Sequence, residues 1–233
     1  MSGECVTGGR FFCYTGRDDV TKEPSPCYAA KNIESCTWAG LTCAGDATII
    51  LKDGSANTVK GFRENYPGIY VPEGKKLIIQ GGTGSLNASC NTDACSAAGI
   101  GGGYDIACGN IEIQGGVITA TGGYYAAGIG SCNKSCGTIT ISGGTVEATG
   151  GYNAAGIGSG YKGSCAGITI ANTVTRVWAQ KGINSPNSVG AGKDGSCGTV
   201  TIGGTVYWNG SAYQNGGDGI ITVLLYTYQP NSN

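Results

Sequence analysis

The chain has 233 residues, of which 45 are glycine, far above the ordinary share of ~7%. Only 12% are charged, with 14 Lys+Arg against 15 Asp+Glu, so no basic face exists to neutralise a phosphate backbone and nucleic acid is not an expected partner. Histidine is absent, which removes the commonest general base and transition-metal ligand, and with them every Ser-His or Cys-His nucleophile.

Residues 1–45 show no repeat, carry five cysteines and contain the turn-forming run Lys22-Glu23-Pro24-Ser25-Pro26. They read as an N-terminal cap, which a solenoid needs because its end strands otherwise expose unpaired backbone. Residues 1–30 lack the charged-then-apolar layout of a secretory signal. The even total of twelve cysteines nevertheless favours an oxidising destination, secreted or at the cell surface.

A repeat occupies 46–210. It begins faintly at Thr48-Ile49-Ile50-Leu51, Gly68-Ile69-Tyr70, Leu77-Ile78-Ile79 and Leu86-Asn87-Ala88-Ser89. It becomes plain at Ala97-Ala98-Gly99-Ile100-Gly101, Ala126-Ala127-Gly128-Ile129-Gly130 and Ala154-Ala155-Gly156-Ile157-Gly158, with Val189-Gly190-Ala191-Gly192 as a degenerate copy. Each unit adds two segments that alternate apolar with polar, such as Thr138-Ile139-Thr140-Ile141 and Val146-Glu147-Ala148-Thr149, separated by glycine pairs. Period-2 alternation is the mark of a strand with one buried face. Three short strands per ~28-residue unit cannot bury their inner faces alone, but stacked units can.

The expected fold is therefore an all-β, right-handed parallel β-helix of about six coils. Its expected core columns are Leu77, Ile111, Ile139, Ile168 and Val200, with Ile79, Ile113, Ile141, Ile170 and Ile202; then Leu86, Ile118, Val146, Val177 and Val206, with alanines 88, 120, 148 and 179 followed by Trp208; and at the third corner Ile69, Ile100, Ile129, Ile157 and Ala191. Residues 211–233 read as a C-terminal cap, with Gly219 to Tyr228 the most apolar run. No apolar run approaches the ~20 residues of a membrane span, so no membrane insertion is expected.

Cys108, Cys136, Cys165 and Cys197 share one repeat position. They are expected to stack as a column, either a reduced inward-facing thiol ladder or disulfides between adjacent rungs. Cys5, Cys13, Cys27, Cys36, Cys43, Cys90, Cys95 and Cys132 lie off that column and read as loop staples. Cys132 and Cys136 have zinc-like spacing but no histidine and no second pair, so no metal and no cofactor are expected.

Outward positions of the third segment place Trp178 beside Tyr207, with Glu147, Arg176, Gln180 and Asn209 around them. Flat rings bordered by planar polar groups suit sugar recognition, since C–H faces stack on the ring and hydroxyls pair with the polar rim; cross-strand packing is the plainer alternative. Tyr104 with Tyr161, and Tyr124 with Tyr152, share corner positions and form a second set that either grips a ligand or covers glycine-rich turns. Outward threonines 138, 140, 169, 199 and 201 are interrupted by Asn110, Glu112 and Gly167, too irregular for a flat hydroxyl lattice. The acids Asp105, Glu112, Glu147 and Asp194 fall at unlike positions, and Glu147 reads as a surface ion pair with Arg176. Catalysis by paired carboxylates is not expected.

The runs at 154–160, 137–151 and 198–208 resemble the glycine-rich repeats of secreted or surface-attached bacterial proteins. The segment 49–59, followed by Gly68-Ile69-Tyr70-Val71-Pro72, is similar to the opening coils of a bacterial carbohydrate-binding β-helix family. The resemblance spans about 46–228 and implies a parallel β-helix in an extracellular setting with a polysaccharide or host glycan as partner. The reading that results is a non-catalytic glycan-binding or adhesive rod. Its rivals are a structural spacer or filament subunit that self-associates through the solenoid ends, and a polysaccharide lyase.

Overall fold

The computed structural model describes residues 39–43, 45–61, 65–90, 95–214 and 224–230. In chain order, β1 (Leu41–Thr42), β2 (Ala47–Leu51) and β3 (Ala56–Lys60) make the first turn of a solenoid. The next is β4 (Ile69–Tyr70), β5 (Lys76–Gly81) and β6 (Ser85–Ser89), followed by β7 (Ile100–Gly101), β8 (Asn110–Ile113) and β9 (Val117–Thr121). Then come β10 (Ile129–Gly130), β11 (Ser135–Ile141) and β12 (Thr145–Thr149), and β13 (Ile157–Gly158), β14 (Ser164–Ile170) and β15 (Arg176–Gln180). A further turn starts with β16 (Val189–Gly190) and β17 (Ser196–Ile202) but is not completed, because β18 (Thr205–Asn209) doubles back and β19 (Leu225–Tyr228) arrives from the C-terminal segment.

The three strands of each turn fall into three sheets, ordered β1-β4-β7-β10-β13-β16, β18-β17-β14-β11-β8-β5-β2 and β19-β15-β12-β9-β6-β3. All pairings are parallel except β17 with β18 and β15 with β19. The expected all-β parallel solenoid is thus the observed fold, with about five turns. Leu41–Thr42 already pairs in register with Ile69–Tyr70, so the first turn reaches into the stretch assigned to the N-terminal cap; the rest of that cap, up to residue 38, lies outside the described residues.

In-register parallel pairing sets like on like. Ile139 sits between Ile111 and Ile168, and Ile141 between Ile113 and Ile170, all 1% exposed or less. Burying each such side chain contributes roughly 1.5–3 kcal/mol. The third sheet contributes Leu86, Ile118, Val146 and Val177 together with alanines 88, 120, 148 and 179. In the first sheet the partner of Ile157 is Val189, fully buried. The expected corner residue Ala191 is only half-buried and lies past that strand, because the repeat unit aligns on Val189-Gly190 with Ile157-Gly158.

Gly101, Gly130, Gly158 and Gly190 form the adjacent column at φ 135, 132, 131 and 128°. That conformation disfavours any L side chain, and a Cβ on Gly130 would collide with the carbonyl oxygen of Gly158 one rung away.

The expected continuation of the third sheet by Val206, Tyr207 and Trp208 is overturned. Earlier turns leave three to five residues between the second- and third-sheet strands, as in Ser142-Gly143-Gly144, whereas only Gly203-Gly204 separates β17 from β18. Both of these glycines have positive φ, 58 and 82°, the requirement of a two-residue hairpin turn whose twist suits antiparallel strands. Val206 is consequently exposed, and Tyr226 and Tyr228 of β19 take the core positions beyond Ala179 and Val177.

At the C-terminal end β18 and β19 are the outer strands of the second and third sheets, and just past β16 on the first Asn187 Nδ2 donates to the carbonyl of Ala191 at 2.9 Å while Tyr213 Oη donates to Asn187 Oδ1 at 3.2 Å.

Replacing Ile139 by Ala should destabilise the chain by about 2–5 kcal/mol, the cost of a buried cavity, whereas Thr140→Ala on the outer face should change it by less than about 0.5 kcal/mol. Urea denaturation of both variants checks this; equal effects would show that the assigned inner and outer faces are wrong.

Candidate functional site

The structure divides the six residues expected around an aromatic platform. Glu147 and Trp178 are register partners, as are Thr149 and Gln180, on the third sheet. Tyr207 and Asn209 lie instead on β18 at the end of the second sheet, opposite β17. Tyr207 is half-buried against the core. Its hydroxyl pairs with that of Tyr226, whose own phenol is pushed up by burial first and then by Tyr207. Trp208 Nε1 donates to the carbonyl of Cys197 at 2.8 Å and its ring lies 5.0 Å from that of Tyr213. These aromatics plug the C-terminal end of the core. Arg176 makes no ion pair with Glu147; its guanidinium lies 3.8 Å from the centroid of the Trp178 ring, a cation–π contact that occupies one indole face.

A different aromatic site is assembled at a corner. Between the third and first sheets the chain makes the same tight turn on three successive coils, closed by Ala126 N–H to Gly123 O at 3.0 Å, Ala154 N–H to Gly151 O at 2.9 Å and Ser185 N–H to Gly182 O at 3.1 Å. Glycine at the first position is required by stacking: a Cβ on Gly151 would strike the carbonyl of Gly123, and one on Gly182 that of Gly151. The second position of each turn therefore projects outward in a column, Tyr124, Tyr152 and Ile183, exposed by 43, 38 and 80%. Tyr124 and Tyr152 stack at 5.2 Å with an interplanar angle of 5°.

The first sheet is only two residues wide, so the turn on its other side comes close. The amide of Tyr161 donates to the carbonyl of Tyr125 at 2.9 Å, and their rings lie 5.2 Å apart. Tyr124 and Tyr125 meet edge to face at 4.5 Å, and Lys162 Nζ stands 5.0 Å from the Tyr161 ring. Four rings, Tyr152, Tyr124, Tyr125 and Tyr161, thus form one continuous edge bordered by Lys162 and the exposed Asn184. Next to it, Asn153 is 7% exposed and its Oδ1 has no hydrogen-bond partner. The sharing of one position by Tyr124 and Tyr152 is legible in the repeat; the bridging by Tyr125 is not, since it comes from two turns meeting across a narrow sheet.

The acids take a partly different arrangement from the expected one. Asp105 and Asp194 occupy the same turn position, four residues past Gly101 and Gly190, both with φ near 58°. Lys162 fills that position on the coil before Asp194, at φ 57°, whereas the coil that starts at Gly130 is one residue shorter before its second-sheet strand. Asp105 receives a hydrogen bond from Asn133 Nδ2 at 2.9 Å and pairs with Lys134 at 3.6 Å. Glu112 is bound by Lys76 and Gln114, which hold its carboxyl below the usual range despite partial burial.

The four equivalent cysteines do stack inward. Cys108 bridges to Cys136, which is the register partner of Cys165, and Cys165 is that of Cys197. Cys108 and Cys136 form a disulfide with Cα atoms 4.5 Å apart, while Cys165 and Cys197 are free thiols. The column is therefore neither a wholly reduced ladder nor a wholly oxidised one. Of the expected staples, Cys43 and Cys132 are buried free thiols, Cys90 and Cys95 are buried beside Ala97, and Cys5, Cys13, Cys27 and Cys36 lie outside the described residues. No group of three or more metal-ligating side chains converges among the described residues.

The Beta helix repeat family profile matches residues 111–131 and 139–161, spans that run from the second-sheet strands β8 and β11 through the tyrosine turns. No curated protein and no solved structure matches the chain. Fold and repeat together define a parallel β-helix repeat protein.

Burial pushes the thiols of Cys43 and Cys132 up to about 12, so both stay protonated near neutral pH and lack the nucleophilic thiolate. Iodoacetamide should leave them unlabelled in the native chain and label both after unfolding in guanidinium; rapid native labelling of either would contradict its placement in the core.

Proposed function

We propose that this chain is a non-catalytic, extracellular β-solenoid that binds glycans along its tyrosine edge. The observation that carries the reading is the run of four contacting rings, 4.5 to 5.2 Å apart, on turns fixed by rung-to-rung hydrogen bonds. Tyrosine offers an apolar ring face to sugar C–H groups and a hydroxyl to sugar oxygens. Rings already held in place lose little conformational entropy on binding. Lys162 and Asn184 supply polar groups at the border. The disulfide of the cysteine column supports an oxidising compartment.

The non-catalytic part of the reading is supported by the placement of the acids. Glycoside hydrolysis needs two carboxyls ~5–9.5 Å apart across the scissile bond. Asp105 and Glu112 are each engaged by a lysine, and Glu147 stands on the third sheet beside Trp178. End-to-end growth into a filament is disfavoured because the C-terminal end departs from the repeat: antiparallel β18 and β19 stand there in place of a further parallel rung that a second copy could continue.

A glycan array should show binding that falls by about tenfold or more in Tyr124→Ala and in Tyr152→Ala, the loss of roughly 1.4 kcal/mol of stacking. Trp178→Ala should bind as the parent does. Unchanged affinity in both tyrosine variants would remove this edge as the site. Light scattering should give a single mass at all concentrations; mass rising with concentration would restore the filament reading.

A further inference from the structure

The column of four cysteines contains one closed rung and one open one. Cys165 and Cys197 occupy the same inward positions, two rungs further along, as the bonded pair Cys108 and Cys136. Both are buried, at 3 and 8% exposure, and the two thiols lie within hydrogen-bonding reach of each other. Two facing thiols on adjacent rungs of a rigid parallel sheet meet the steric requirement for a disulfide, and the bonded neighbour shows that this column accepts a cross-rung bond. We propose that Cys165 and Cys197 are a modification site: an external disulfide oxidant closes them into a second staple, so that the column becomes two separate clamps, Cys108–Cys136 and Cys165–Cys197.

The chemistry balances with oxidised glutathione as the oxidant. In the closed end the hydrogen bond to Cys165 and burial hold the Cys197 thiol protonated; once the end opens to water, its thiolate attacks one glutathione sulfur, forming a mixed disulfide and releasing one glutathione thiolate. The thiolate of Cys165 then attacks Cys197 Sγ and expels the second. Two protons and two electrons leave the protein, and one disulfide becomes two thiols. Entry is from the C-terminal end, where Cys197 is covered by the β17–β18 hairpin through the Trp208 Nε1 bond to its carbonyl; opening that hairpin uncovers the pair. The hydrogen bond from Cys197 favours the Cys165 thiolate, which suits Cys165 to the closing attack. The new bond ties together β14 and β17, the last two parallel strands of the second sheet, where the repeat ends and fraying would start.

Tryptic mapping distinguishes the pairings among Cys136, Cys165 and Cys197, because these fall alone on fragments 135–162, 163–176 and 194–233, while Cys108 shares 77–134 with Cys90, Cys95 and Cys132. The full chain is incubated with oxidised glutathione, alkylated, digested in urea and weighed. The expected product is 163–176 linked to 194–233, alongside 77–134 linked to 135–162. Oxidation should also raise Tm by roughly 5–10 °C, and Cys197→Ser should show no such rise. Fragments 163–176 and 194–233 recovered separately alkylated while 77–134 and 135–162 are linked would overturn the proposal. So would 163–176 linked to 135–162, which would mean exchange along the column in place of a second clamp. The mapping is done on the unmodified sequence, so it stands even where the serine variant does not fold.

Discussion

Everything in this molecule depends on side chains of one kind lying directly above their counterparts in the next turn. A parallel strand pair with no register shift places Ile on Ile, Ala on Ala and Cys on Cys at ~4.8 Å, so the inner surface is a set of columns, filled by branched aliphatic side chains, by alanine or by cysteine. No single turn has a core of its own. Its inward residues leave water only when the neighbouring turns are present, which makes stability a sum over adjacent pairs of turns. The same rule operates on the outside: a tyrosine at one turn position becomes a tyrosine column, and lysine or aspartate at another becomes a charged column.

The regularity is enforced by glycine at the corners and broken by glycine at the end. Where the chain turns into the two-residue sheet, Gly130 and its equivalents allow carbonyls of adjacent turns to come closer than any Cβ would permit. At Gly203-Gly204 a connecting loop shortened to two residues, both at positive φ, turns a continuing coil into a hairpin. The outcome is an end at which antiparallel strands replace a further parallel rung, with the Asn187 side-chain amide bound to the carbonyl of Ala191 just past the last first-sheet strand.

Much of the fold was legible because repetition converts a local pattern into a long-range contact map. Ile100, Ile129 and Ile157 align by eye, and the sheets pair accordingly. The misplacements cluster where the period fails. Val189 takes the place expected for Ala191 because the preceding turn has extra residues, and Trp178 and Tyr207 part company although the last unit still spells Gly-Gly-Thr-Val-Tyr-Trp. The signal against that placement was present in the chain, as a two-residue glycine loop between alternating segments is itself a hairpin mark. The tyrosine edge was half legible. Columns follow from the repeat, but contact between Tyr125 and Tyr161 depends on how narrow the intervening sheet is, and that width is a tertiary property. The split state of the cysteine column was likewise beyond a pattern that makes all four positions equivalent.

The in-register stack is tested most directly by methyl–methyl nuclear Overhauser contacts in isotopically labelled protein. The δ1-methyl of Ile139 should show cross-peaks to Ile111 and Ile168, and that of Ile141 to Ile113 and Ile170, each 28 or 29 residues away in the chain. Cross-peaks from Ile139 confined to residues of its own turn, or joining strands in antiparallel register, would contradict the account.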